Sequence, residues 1–321
     1  MGFYALLPGV LFGICSLYNG NYFIPNPVLL KSSAPPLTLE GITQFFTIVI
    51  PAQLSFSAES YSAAAVQRLL ILLLLSYLLF YQDIRKNVSY HYLLVLLSFA
   101  TLVQILSSGR GRFPRYEAYL MGADMVILST LFFKYGKVKV RSLFREARAM
   151  VIFTIIVLAV PIAMRSWDAL TLVKSASINI YQQQYQMGKF LGRYYQDTPV
   201  AFNDIGAVSL FTAGNNLDLW GLGNIDVAHS RRDRYYSGAF LHSLSEHNNI
   251  QVAIVFEKFC PPGLLNNWTK IASWQITSEN VICTDDSVSF YSVKPGMSNG
   301  LKKNLHDFQA SLPKGVVAHY Y

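Results

Sequence analysis

The run LLILLLLSYLLFY, Leu69–Tyr81, contains neither a charge nor a turn former. A stretch of this kind forms a helix that is buried in protein or faces lipid. It anchors a membrane span at Ala63–Tyr81, and four other segments read the same way: Phe3–Tyr18, Ser89–Ser107, Ala118–Phe133 and Met150–Met164. The last two are short for a hydrocarbon core that takes ~20 helical residues, so their ends extend into polar flanks. Ile42–Phe56 (ITQFFTIVIPAQLSF) is also short and contains Pro51. It suits an interfacial or re-entrant helix better than a full span.

Charge supports this division. The chain of 321 residues is 52% hydrophobic and 14% charged, against roughly 25% charged for an average soluble domain. Residues 1–164 hold 13 Lys/Arg and 6 Asp/Glu, a net of +7, while residues 165–321 hold 13 and 12, a net of +1. The basic excess therefore lies among the apolar segments, not on a soluble face interleaved with aromatics, which argues against nucleic acid as a partner. The loop KYGKVKVRSLFREAR (134–148) has six Lys/Arg and QDIRKNV (82–88) has two. Both fall in the cytoplasm by the positive-inside rule. The loop carrying Arg110, Arg112 and Arg115 is then extracytoplasmic, as is everything after Met164. The start, MGFYALLPGV, lacks the basic region of a signal peptide. Ile14 ahead of Cys15 does not suit lipoprotein processing, and Leu6 does not suit myristoylation of Gly2.

The expected architecture is a multi-pass α-helical membrane domain, residues 1–164, followed by a small extracytoplasmic α/β domain, residues 165–321. In the second part, Asp168–Gln196 reads as a long helix with a stripe of Ile178, Tyr181, Tyr185, Phe190 and Tyr194. PVAFND and NLDLWGLG supply short strands, and IGAVSLF a short helix between them. Arg231–Asn248 reads as a helix and Ile250–Glu257 as a buried strand. Strands alternating with helices point to a parallel, Rossmann-like sheet. WTKIASWQI and DSVSFYSV alternate as a β-hairpin does, and LKKNLHDFQASL reads as a surface helix.

Several residues are candidates for chemistry. Arginine binds phosphate through a planar fork of donors, so Arg110, Arg112 and Arg115 suit a lipid phosphate. Gly109 and Gly111 allow close backbone approach. The alternative is snorkelling to ordinary headgroups or pairing with Glu117. Asp124, seven residues beyond Glu117, is an intramembrane acid that is either functional or paired, and Arg68 is its candidate partner. Lys31, in the Pro/Asn-rich loop 18–36, is either a phosphate contact or an interface anchor. Asn203 and Asp204 precede a helix start, as caps or as part of a ligand site at the strand's C-terminal edge, and Asp218 could share that crevice. Cys15 belongs to a span. Cys260 and Cys283 form either a disulfide, as an oxidising compartment permits, or two separate thiols. No phosphate-binding glycine fingerprint is present, and His242 and His247 are not spaced as a metal pair.

PNPVLLK, RFPRYEAYL, YQQQYQMGKFL, VAFNDIGAVSLF, LDLWGLG and VSFY together resemble the C-terminal half of bacterial GT-C membrane glycosyltransferases. These enzymes use polyprenyl-phosphosugar donors and are distantly similar to the arabinofuranosyl- and aminoarabinose-transferring enzymes. The resemblance implies an inner-membrane protein of cell-surface polysaccharide or lipopolysaccharide assembly. Its partners would be a polyprenyl-phosphate-linked sugar and a glycan or lipid acceptor. Arg112, Arg115 and Tyr116 become candidates for holding the donor or its carrier. A divalent cation is compatible with the resemblance, and no other cofactor is implied. The family's catalytic acid sits in its first extracytoplasmic loop, whereas the first such loop here has only Glu40 and Glu59 and no acidic pair. That catalytic loop is therefore expected to be missing, supplied by an N-terminal half or a partner membrane protein. The alternative is a non-catalytic, membrane-anchored binding or scaffold module.

Overall fold

A computed structural model of the protein describes residues 2–31, 39–54, 61–107, 117–136 and 148–321. Contacts gather the chain into two compact units, Met1–Leu30 with Val173–Tyr321, and Lys31–Leu172.

The Lys31–Leu172 unit is helical. Its first helical stretch comprises α3 (Leu39–Gln44), a π turn (Phe45–Val49) and α4 (Ile50–Leu54). The wide turn lies just ahead of Pro51, which has no N–H for the Thr47 carbonyl and crowds it. Then come α5 (Tyr61–Ile84), α6 (Val88–Ser107) and α7 (Ala118–Leu131). Leu73, Phe80, Ile84, Leu94, Ile127 and Leu131 form one core, and Ala65, Val66, Leu69, Ile105 and Met121 another. Helix α8 (Arg148–Gln182) follows, with Pro161 inside it. The expected boundary at 164/165 falls within this helix.

All five segments read as spans are helical. Among the described residues, three helices are long and apolar enough to cross a membrane: Ala65–Ile84, Val88–Leu106 and the stretch Arg148–Tyr194. Helix α1 (Gly2–Tyr18) and α7 are shorter. Apolar side chains point outward from these helices, with Leu78 71% exposed and Val126 68%.

The other unit contains a six-stranded mixed sheet in the order β2-β1-β3-β5-β4-β6. The strands are β1 (Val200–Phe202), β2 (Leu217–Asp218), β3 (Val252–Val255), β4 (Thr269–Ile276), β5 (Ser287–Ser292) and β6 (Val316–Tyr320). Only β2-β1-β3 is parallel, and the other pairings are antiparallel. The parallel part expected from the sequence is thus confined to three strands of a mixed sheet. The hairpin β4–β5 adds to β3, and β6, which was not anticipated, closes the other edge.

One sheet face packs on α9 (Gln184–Tyr194) through Met187, Phe190 and Leu191. Helix α12 (Ser298–Gln309) adds Leu301, Leu305 and Phe308 to the same core, so the expected surface helix is half buried. Phe190 meets Trp274, Phe290 and Phe308 with ring centroids 5.5–5.6 Å apart, and truncating such a ring typically costs about 3–5 kcal/mol. Over the parallel strands the opposite face packs on α10 (Ile225–Arg232) and α11 (Gly238–His247) through Val227 and Leu241. The single helix expected at 231–248 is broken because Arg234 takes a left-handed φ of 64° and Ser237 caps a new helix at the Phe240 N–H.

The expected stripe on Asp168–Gln196 is also revised. Ile178, Tyr181 and Tyr185 are exposed, while the glutamines between them are buried and bonded. Gln182 donates to the Lys314 carbonyl at 2.9 Å, and Gln183 to that of Asp285 at 2.9 Å. Ser278 Oγ donates to Gln182 Oε1 at 2.8 Å, so polar atoms of the surrounding loops, backbone and side chain alike, pin this helix turn.

Candidate functional site

The C-terminal edge of β1, β2 and β3 collects most of the second-half candidates. Asn203, directly after β1, ties that strand to β3. Its Nδ2 donates to the Phe256 carbonyl at 2.9 Å and its Oδ1 accepts from the Phe256 N–H at 2.9 Å. Both of its polar ends are used, so Asn203 positions the edge without offering a free group. Asp204 accepts from Gly206 N–H at 3.4 Å and from Gln184 Nε2 at 3.4 Å.

Asp218 is buried and organises the next loop. Its two oxygens accept from the N–H groups of Trp220 and Gly223, each at 2.8 Å. Burial pushes its carboxyl above the usual carboxylate range, and the backbone donors, Gly223 foremost, offset that only in part. Gly221 makes the loop possible. Its φ is +89°, and a Cβ there would lie 2.8 Å from the Ala228 nitrogen. Asn224 then caps α10 by accepting from Val227 N–H at 3.0 Å. LDLWGLGN is therefore a built loop: an aspartate at its base, a glycine at its turn, a cap at its end.

Helix α1 belongs to the same compact unit. The segment after it doubles back, with the Phe23 ring seated on Gly13, where a Cβ would lie 2.3 Å from it. Tyr22 Oη lies 2.9 Å from His229 Nδ1 on α10. Phe12, Cys15 and Ser16 of α1, the polar residues Asn19, Asn21 and Asn26, and Leu222 and Gly223 of the edge loop line a cavity of about 470 Å³. One wall is apolar helix, and the rest is amide and backbone.

A second cavity, about 340 Å³, lies on the outer face of the antiparallel strands, lined by Glu257, Lys270, Ser273, Asp285, His319 and Tyr321 among others. Glu257 accepts from Tyr291 Oη at 2.7 Å and pairs with Lys270 at 2.8 Å. Burial raises its carboxyl, but the bonds from Lys270, Ser289 and Tyr291 outweigh it and hold the group below its ordinary value.

Cys260 and Cys283 are free thiols, so the disulfide weighed from the sequence does not form. Cys260 lies against the Phe256 carbonyl at 3.8 Å, and Cys283 against Gln184 Oε1 at 3.3 Å. Burial pushes the first to about 12, aided by the Glu257 charge, and the second to about 11.

Arg110, Arg112, Arg115 and Tyr116 lie outside the described residues. Lys31 ends α2 (Asn26–Lys31) and is exposed. Asp124 is fully buried and accepts from Thr101 Oγ1 at 2.9 Å, where Arg68 was the expected partner. Glu117 pairs with Arg165 at 3.5 Å. Among the described residues no three His, Cys, Asp or Glu side chains converge to hold a metal ion.

The residue that sequence reasoning passed over is Arg231, which lies between the rings of Trp220 and Tyr236. Its only sequence signal is the run RRDR, which gives no hint of which arginine turns inward.

A family model described as a domain of unknown function, DUF8728, matches residues 177–291. That span runs from the end of α8 through most of β5. No curated protein and no solved structure matches the chain.

Proposed function

We propose that the chain acts as the C-terminal part of a GT-C-like glycosyltransferase, holding a sugar carried on polyprenyl phosphate at the outer surface of a bacterial inner membrane. The observation that carries this reading is the cavity shared by α1 and the edge loop 218–224. A lipid-linked sugar has a long hydrocarbon tail and a strongly polar head. The cavity offers a matching pair of surfaces, apolar at Phe12 and polar at Asn19, Asn21 and Asn26. Helices with outward apolar side chains suit hydrocarbon around them.

In this mechanism Arg110, Arg112, Arg115, Tyr116 and Lys31 contact the donor phosphate and stabilise it as it leaves. Asn203, Asp204 and Asp218 serve the acceptor side by fixing the shape of the sheet edge. The general base that takes the acceptor's proton comes from a segment or partner bearing an acidic loop. Donor binding is thus the part of the activity this chain carries alone. The test is to reconstitute the chain in nanodiscs and titrate it with a polyprenyl-phosphate-linked sugar. Saturable binding supports the reading, and its absence counts against it.

A further inference from the structure

Arg231 is held against two aromatic rings. Its guanidinium carbon lies 3.8 Å from the centroid of the Trp220 ring and 4.2 Å from that of Tyr236. Both rings are fixed in turn. The backbone N–H of Trp220 donates to Asp218 Oδ1 at 2.8 Å, and its ring meets Phe259 edge-on at 5.7 Å. Tyr236 Oη donates to the Leu219 carbonyl at 3.0 Å. Among the described residues no carboxylate stands within ion-pair distance of Arg231, and its buried Nε–H has no acceptor.

A structural explanation exists, since a cation in the last turn of α10 favours the helix dipole and stacks well on aromatic faces. It accounts for the faces of the guanidinium, and a bond to the Tyr236 hydroxyl for part of its edge, but not for the buried Nε–H. A buried donor without an acceptor costs free energy, and a guanidinium edge is the group that grips phosphate oxygens two at a time. The surroundings add positive charge. Arg232 lies over the Tyr22 ring at 5.3 Å, and that ring packs 4.6 Å from His229. Arg234 follows two residues on. The nearby carboxylates are accounted for: Asp218 is held by backbone donors, and Asp233 lies 3.8 Å from His229.

We infer that Arg231, clamped by Trp220 and Tyr236 at the C-terminal edge of the parallel strands, is the recognition residue for a phosphate ester. It rests on the preceding reading for the identity of the ester, which is the head of the lipid-linked donor, and deepens it by naming a phosphate contact outside the 110–115 loop. Pre-organisation is the advantage of the cage, because the side chain gives up little rotamer freedom when the anion arrives.

The test uses the full chain in phosphatidylcholine nanodiscs, with Trp fluorescence and thermal shift as readouts. Polyprenyl phosphate is the lipid-borne probe and glycerol 3-phosphate the soluble one. Arg231→Ala and Arg231→Lys should each weaken phosphate binding by about tenfold or more. Arg231→Lys retains the charge and is the variant that guards against a folding defect. Phosphate should raise the melting temperature of the wild type but not of Arg231→Lys. Binding of both probes identifies a phosphate ester of any source, and binding of polyprenyl phosphate alone identifies a lipid-borne one. Undiminished polyprenyl phosphate binding by both variants overturns the role of Arg231 while leaving the donor reading intact. Glycerol 3-phosphate binding that needs Arg231, without binding of the lipid, keeps the site and overturns the donor reading. No binding of either probe by the wild type overturns both.

Discussion

The Tyr22 hydroxyl lies 2.9 Å from Nδ1 of His229, across 207 positions of sequence. This bond and the ring contact beside it join the segment following an apolar helix to the helix that opens behind the sheet-edge loop. Tyr22→Phe keeps the ring and deletes the bond, and should cost about 0.5–1.5 kcal/mol. Thermal denaturation of the detergent-solubilised chain measures it. Loss of a contact inside one unit should also speed proteolysis between residues 18 and 26.

Gly13 and Gly9 provide a paired test of the turn that builds the cavity wall. A Cβ at Gly13 would lie 2.3 Å from the Phe23 ring, and one at Gly9 meets nothing within 4 Å. Gly13→Ala should therefore displace Phe23 and destabilise by about 1–3 kcal/mol. Gly9→Ala should be neutral or slightly stabilising, since alanine favours helix. Equal melting temperatures for the two variants would contradict the packing of this turn.

Asn203 is expected to act through the backbone. Removing it by Asn203→Ala leaves the buried Phe256 N–H without its acceptor, while the carbonyl keeps the Phe259 N–H, for a loss of about 1–3 kcal/mol. Denaturant unfolding at constant m-value is the measurement, and a loss below about 0.5 kcal/mol would show that β1 and β3 are not held this way.

Glu257 carries a pH signature. Its folded carboxyl lies below its ordinary value, first opposed by burial and then held down by Lys270, Ser289 and Tyr291. Its contribution is therefore complete above the unfolded pKa of about 4.3 and disappears as pH falls through the lower folded value. The pair is partly exposed, so the effect is small, ~0.5–1 kcal/mol. Glu257→Gln should lower stability at pH 7 and flatten its fall between about pH 5 and pH 3.

Burial of Cys260 and Cys283 predicts slow alkylation. With thiols near 12 and 11, both should resist iodoacetamide at pH 8 in the folded chain, because the thiolate is the reactive form. Unfolding without reductant should release both to the reagent. A pair that stays blocked until reductant is added would mean a disulfide.

The sequence made the apolar helices legible because runs such as Leu69–Tyr81 have no alternative structure. β3 and the hairpin were equally plain, being short, apolar or alternating, and bounded by turns. β6 was hidden because VVAHY is only partly buried along its length, so no strong alternation marks it. The break at Arg234 escaped notice because a left-handed arginine leaves no local signal. The burial of Gln182 and Gln183 depends on carbonyls more than a hundred residues away. Asn203 and Asp218 were found as candidates, yet their use as backbone clamps is set by tertiary contacts. Arg231 could be found only once Trp220 and Tyr236 were in place around it.

Holding a lipid-borne phosphate is the function on which the rest depends, and one comparison tests it most directly. The chain in phosphatidylcholine nanodiscs is titrated in parallel with polyprenyl phosphate and with the matching polyprenol, which differ only in the phosphate. Phosphate recognition requires saturable binding of the first at least about tenfold tighter than the second, with the gap narrowing as salt rises. Equal affinity for the two, or no saturable binding of the phosphate, would contradict it.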